Sequence, residues 1–209
     1  YQLSPTTTTT KSVIEPSYSV RSYDGVGISF LYKFDANKIL TVDYDRLILA
    51  TGSATFIPPV QGVDLKGVIS FRDIYDVNTM IKYCETKKNA VVIGGGLLGL
   101  EAAYGLKQRG MNVTVLHLMD RIMERQLDGR ASRMLRQSIE EKGINIITEA
   151  NTEALIGKDG HVNQVRLKDG TVLDADLVVF AVGIRPNIAL AQSAGLRCNR
   201  GILVNDTMQ

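Results

Sequence analysis

The clearest hydrophobic pattern begins at Ala90, where the unbroken apolar run Ala90-Val91-Val92-Ile93 meets Gly94-Gly95-Gly96 and then continues at helical spacing. Such a run suits a strand buried on both faces, and the change of period suits a helix from Leu98 to Arg109 that stops at Gly110. Val113 to Leu116 reads as the next strand. Asp128 has the side chain of an N-cap, and the helix after it places Ala131, Met134, Leu135 and Ile139 at helical spacing to Lys142, with its stop at Gly143. Ile144 to Thr148 reads as a third parallel strand. Period two then takes over: Lys158-Asp159-Gly160 and Lys168-Asp169-Gly170 punctuate three short alternating runs, the pattern of an antiparallel meander. Leu177 to Val182 returns to a buried strand and ends at Gly183.

Upstream the pattern is weaker. Residues Tyr1 to Thr10 carry no apolar periodicity, and no function is assigned to them. Ile28, Phe30 and Tyr32, then Leu40 and Val42, alternate like short strands, and Tyr44 to Ala50 reads as a buried strand ending at Thr51-Gly52. Pro58 and Pro59 break the pattern and mark a crossover, after which Ile74, Val77, Ile81 and Cys84 share one face of an amphipathic helix. The fold class these elements predict is α/β, a Rossmann-type parallel sheet with a small antiparallel β-meander.

Composition narrows the partners. The 209 residues suit one large domain or two small ones, and 24 Lys and Arg nearly balance 22 Asp and Glu. No basic block stands out, so no nucleic acid is expected, and no apolar run approaches the span of a bilayer, so no membrane is expected either. The start of the chain lacks a signal-peptide pattern, which predicts a cytoplasmic location. Cys84 and Cys198 stand far apart without metal-ligand spacing and read as reduced thiols, Cys84 on the core face of its helix. His161, beside a hairpin turn, reads as a surface histidine. No metal site is predicted.

The chemistry sits in the glycine run. Gly94 permits a tight turn, Gly96 lets backbone approach a phosphate, and Gly99 lets the helix pack closely on the strand. Amides at the helix start then face the anion, so Gly94, Gly95, Gly96, Leu97, Leu98 and Gly99 are the expected nucleotide contacts. The motif alone is a weak signal; its strand-helix-strand frame makes it specific. A glycine-rich turn without a ligand is the other reading. At the end of the second strand His117 occupies the place where Asp or Glu would bind a ribose 2′-hydroxyl. His117 and Arg121 could meet the 2′-phosphate of NADPH, whereas Asp120 between them opposes it, so the choice between NADH and NADPH stays open.

Three motifs in order carry a family resemblance: the strand ending Ala50-Thr51-Gly52, the loop Gly94 to Glu101, and Ala181-Val182-Gly183-Ile184-Arg185-Pro186-Asn187. The chain resembles the FAD-dependent pyridine nucleotide-disulfide oxidoreductases over about residues 40 to 209. Leu97-Leu98-Gly99-Leu100-Glu101 with Met123-Glu124-Arg125-Gln126-Leu127-Asp128 is most similar to the flavin modules of assimilatory nitrite reductase large subunits. The N-terminal glycine fingerprint for FAD and the later Gly-Asp motif of that family are not in the sequence, which is therefore expected to be a piece of a larger enzyme.

The resemblance implies residues 1–56 as a partial FAD-domain segment, 57–182 as the NAD(P)H-binding domain, and 183–209 as a truncated return to the FAD domain. It places Glu101 beside nicotinamide and flavin as the candidate catalytic residue; a plain role at the helix dipole is the alternative. Ala50, Thr51, Gly52 and Gly183 would pass close to cofactor at the crossovers, or serve loop geometry alone. The implied activity passes electrons from NAD(P)H through FAD to a siroheme or iron-sulfur acceptor outside this sequence, in assimilatory nitrite reduction. A reductase of a small iron-sulfur protein, a flavin NADH oxidase, and a nucleotide-binding or redox-sensing module without turnover are the alternatives. A homo-oligomer is left open.

Overall fold

A computed structural model of the protein describes residues 46–209 and the backbone of 20–22 and 28–30. The chain divides into two compact units, one of Ala54–Arg185 and one of Tyr1–Ser53 with Pro186–Gln209. Its first strands are β1 (Val20–Ser22), β2 (Ile28–Phe30), β3 (Ser53–Thr55) and β4 (Val68–Ser70). Next come α1 (Ile74–Thr86), β5 (Asn89–Ile93), α2 (Leu97–Gln108), β6 (Asn112–Leu116), α3 (Gly129–Glu140) and β7 (Ile144–Ile147). The chain continues through β8 (Thr152–Lys158), β9 (His161–Leu167), β10 (Val172–Asp174), β11 (Leu177–Phe180), β12 (Ile184–Pro186) and α4 (Ala189–Ser193).

The unit of Ala54–Arg185 is built on a five-stranded sheet ordered β4-β11-β5-β6-β7, with every pairing parallel. Its central strands β11, β5 and β6 are mostly apolar, the exceptions being Asn89, Asn112 and Thr114, because both faces are covered. On one face Val92, Val115 and Val179 pack with Ala102, Ala103 and Leu106 of α2 and Met80 of α1. On the other, Val91, Leu116, Val178 and Phe180 pack with Leu155, Val165 and Leu167 of the meander. That meander is a three-stranded antiparallel sheet ordered β10-β9-β8. The predicted parallel sheet and meander are therefore both present, and the two periods read in the sequence belong to two stacked sheets.

Local signals fix the helix ends. The Asp73 carboxylate accepts from the N–H groups of Tyr75 and Asp76, and Asp76 reaches back to the Asp73 N–H, closing a capping box on α1. Asp128 accepts from the Ala131 N–H at 2.8 Å, as an N-cap of α3 should. That helix ends at Glu140 rather than Lys142, because the N–H groups of Lys142 and Gly143 bond to Ile139 and Glu140 in a tightened last turn. Among the described residues no helix is long and apolar enough to cross a membrane.

Two expectations need correction. Ile74, placed on the buried face of α1, is 63% exposed, and Met80 is the residue that enters the core. Ile74 is the first residue of the helix. The apolar run before Gly52 was expected as a buried strand; residues 46–50 are not in a strand, and Ile48 is 76% exposed. A run of that composition encodes burial only where neighbours exist on both sides, and no strand among the described residues pairs with it. Tyr32, Leu40, Val42, Tyr44 and Asp45 lie outside the described residues.

Candidate functional site

The glycine turn is squeezed between the strands on either side of β5. Gly94 donates its N–H to the Leu116 carbonyl of β6 at 2.8 Å and holds φ at +124°, where a side chain is strained. A Cβ at Gly94 would run into the carbonyl oxygen of Ala181, and one at Gly99 into the carbonyl oxygen of Gly94. Both positions are thus closed to any side chain by backbone. Gly96 differs. It is the N-cap of α2, and among the described residues no side chain caps the helix there and, its chain neighbours aside, no heavy atom lies within 4 Å of where its Cβ would stand. The first-turn amides of a helix have no partner within it, and they concentrate the positive end of the helix dipole. Uncapped amides beside open space fit a pyrophosphate, and Leu97 and Leu98, both exposed, follow directly on this turn.

His117 follows β6 and turns its ring back onto the glycine turn. The Gly95 N–H donates to its Nδ1 at 3.0 Å, and its Nε2 lies 3.0 Å from Glu124 Oε2. An amide can only donate, so Nδ1 carries the lone pair and Nε2 the proton, which it gives to the carboxylate. Both ring nitrogens are engaged within the protein. A Cβ at Gly95 would lie 2.8 Å from His117 Cγ and 2.9 Å from Ile122, so Gly95 is small because these side chains cover it. Arg121 is half-buried, with its Nε unpaired among the described residues and its Nη1 3.5 Å from the Asp120 carboxylate. Of the two cations expected at this strand end, Arg121 is the one with an unused donor.

Glu101 lies in the second turn of α2, since the helix opens at Leu97 rather than at Leu98. It is exposed and borders a groove of about 150 Å³ between α1 and α2, with Phe71, Met80 and Arg109 among the lining. In the unit of Tyr1–Ser53 and Pro186–Gln209, the turn Ala50-Thr51-Gly52 is fastened to Asn187. Asn187 Nδ2 donates to the Thr51 carbonyl, the Asn187 N–H to the Gly52 carbonyl, and Thr51 Oγ1 to the Asn187 carbonyl at 2.6 Å. Gly183, in the other unit, holds φ at +115° and accepts from the Phe56 N–H. Arg185 stacks on the Phe56 ring with its guanidinium carbon 4.2 Å from the centroid.

Sequence reasoning did not assign roles to Asn187, Ile122, Met123 or Glu124. The signal for Asn187 was its place after Arg185-Pro186, where an Asn can tie two turns. For Glu124 no local signal exists, because its partner is the ring of His117 in another turn. Burial pushes the Cys84 thiol above its ordinary pKa, in keeping with its half-buried place against the core. His161 is exposed, its Nδ1 3.1 Å from the Asp159 carbonyl. Among the described residues no group of His, Cys, Asp and Glu could hold a metal ion.

A parallel sheet whose β5-to-α2 turn exposes uncapped glycine amides has the arrangement of a Rossmann-type nucleotide-binding fold. The chain belongs to the pyridine nucleotide-disulphide oxidoreductases, whose family model matches residues 17–209. Members of that family are enzymes that work with FAD and NAD(P)H. Among its relatives, the nitrite reductase [NAD(P)H] of Bacillus subtilis strain 168 is 54% identical over 175 residues, 84% of this chain and 21% of that protein. An NADH oxidase of Methanocaldococcus jannaschii is 40% identical over 83% of this chain and 41% of its own length. In the crystal structure of a covalent putidaredoxin reductase–putidaredoxin complex, one chain matches with a TM-score of 0.77 at 33% identity, over 82% of this chain and 42% of that one. This chain thus spans about a fifth of the nitrite reductase relative.

Proposed function

We propose that residues 57–182 bind NAD(P)H within an FAD-dependent oxidoreductase, and that 1–56 and 183–209 belong to its FAD-binding part. The observation that carries this is the turn from Gly94 to Gly99, where uncapped amides meet the open space outside Gly96. When bound, the nicotinamide supplies a hydride and the flavin accepts it. The chain's own residues bind and orient. The amides of the glycine turn take the pyrophosphate, Arg121 lies where charge meets the adenosine ribose, and Glu101 stands one turn along α2 on the side of Leu97 and Leu98. Thr51 and Asn187 hold the Ala50–Gly52 turn in its bend, beside which a cofactor can pass without a side chain at Gly52.

We further infer that the electrons go on to a siroheme or iron-sulfur centre in assimilatory nitrite reduction, supported by the 54% identity to a nitrite reductase. The NADH oxidase relative, matched over twice the share of its own length, supports a second reading in which oxygen is the acceptor. Titration of the chain with NADH and with NADPH tests the nucleotide assignment: saturable one-to-one binding is expected, and no binding of either overturns it. In the intact protein, NAD(P)H oxidation that depends on nitrite supports the first acceptor, and oxidation that needs only oxygen supports the second.

A further inference from the structure

The segment after β6 closes over the glycine turn like a clasp, and its two hydrogen bonds to the turn fall on one residue, Gly95. The Gly95 N–H donates to His117 Nδ1 at 3.0 Å, and the Gly95 carbonyl accepts from the Met123 N–H at 3.0 Å. Met123 makes that bond from φ of 52°, a left-handed conformation that a side chain enters only when its surroundings hold it there. Ile122 is fully buried against Gly95, and its carbonyl accepts from Ser132 Oγ at 2.8 Å, which anchors the turn to α3. Glu124 then fixes the ring of His117 from its far side, at 3.0 Å from Nε2.

We propose that His117 is a positioning residue for the dinucleotide. Its ring holds the Gly95 peptide so that the amides from Gly96 onward face the pyrophosphate, and Glu124 keeps the proton on Nε2 so that Nδ1 stays an acceptor. The inference rests on the nucleotide assignment above. It differs from a ribose contact in one respect that can be measured: a clasp on the turn acts through the part every dinucleotide shares, so it affects NADH, NADPH and ADP-ribose alike. A ribose contact changes their ratios. A clasp needs only an acceptor at the Nδ1 position, and an Asn side chain carries Oδ1 at the same distance from the backbone.

The test uses the full chain and two variants, H117A and H117N, each confirmed to be folded by its unfolding midpoint. Affinities for NADH, NADPH and ADP-ribose are measured by calorimetry, and exchange of the Gly95 amide by NMR. H117A leaves a buried donor without its acceptor and is expected to bind all three about tenfold more weakly, with faster Gly95 exchange. H117N is expected to recover both. Unweakened binding by folded H117A, a change in the NADH to NADPH ratio, or folded H117N that fails to recover would each overturn the proposal while native binding persists. Absence of binding by the native chain would instead overturn the nucleotide assignment, and this inference with it.

Discussion

At the scale of single residues, the site separates positions closed by backbone from positions left open for a ligand. Gly94 and Gly99 are closed: their missing side chains make room for the carbonyl oxygens of Ala181 and Gly94. Gly96 is open, and its missing side chain makes room for something outside the protein. The same separation applies to His117 and Arg121 after β6. His117 has spent both nitrogens on Gly95 and Glu124, whereas Arg121 keeps a buried Nε without a partner among the described residues. Arg121→Ala is therefore expected to weaken NADPH several-fold, about 1 kcal/mol for a partly exposed charge pair, and to leave NADH unchanged. Parallel titrations with the two nucleotides check this; an equal loss for both would place Arg121 away from the ribose.

At the scale of elements, short-range chemistry was legible and long-range contact was not. Asp128 announced α3 because its carboxylate needs only the Ala131 N–H three residues on. Asp128→Ala is expected to lower stability by about 1 kcal/mol, read as a shift of the urea midpoint at constant slope; no shift would remove the cap from the account. Asp159-Gly160 announced the hairpin of β8 and β9 because both residues take positive φ there. The β5-turn-α2 unit was legible for the same reason. The clasp by His117 was not, since it depends on the parallel register that sets Ile93 beside Leu116 and so brings the ends of β5 and β6 together. Nothing local to His117 reports that neighbour. The run Leu47-Ile48-Leu49 departs from its pattern for the converse reason: its composition suits burial, and the described strands give it no partner.

At the scale of the molecule, the sheet of the Ala54–Arg185 unit is covered on one face by α1 and α2 and on the other by the meander. Both faces being filled, a ligand of that unit has the strand ends, where parallel sheets bind nucleotides at the turns that follow their C-termini. The turns after β5 and β6 carry Gly94 to Gly99, His117, Arg121 and Glu124, so these residues share that end of the sheet. Membership of the pyridine nucleotide-disulphide oxidoreductases agrees with the arrangement, and the turn after β5 is where the agreement can fail. The most direct test is calorimetric titration of NADH into the native chain and into Gly96→Val. Because the space outside Gly96 is open, the variant is expected to keep the native unfolding midpoint and to lose nucleotide binding, its side chain standing where the pyrophosphate would lie. A folded Gly96→Val chain that binds NADH as tightly as the native chain would contradict the account.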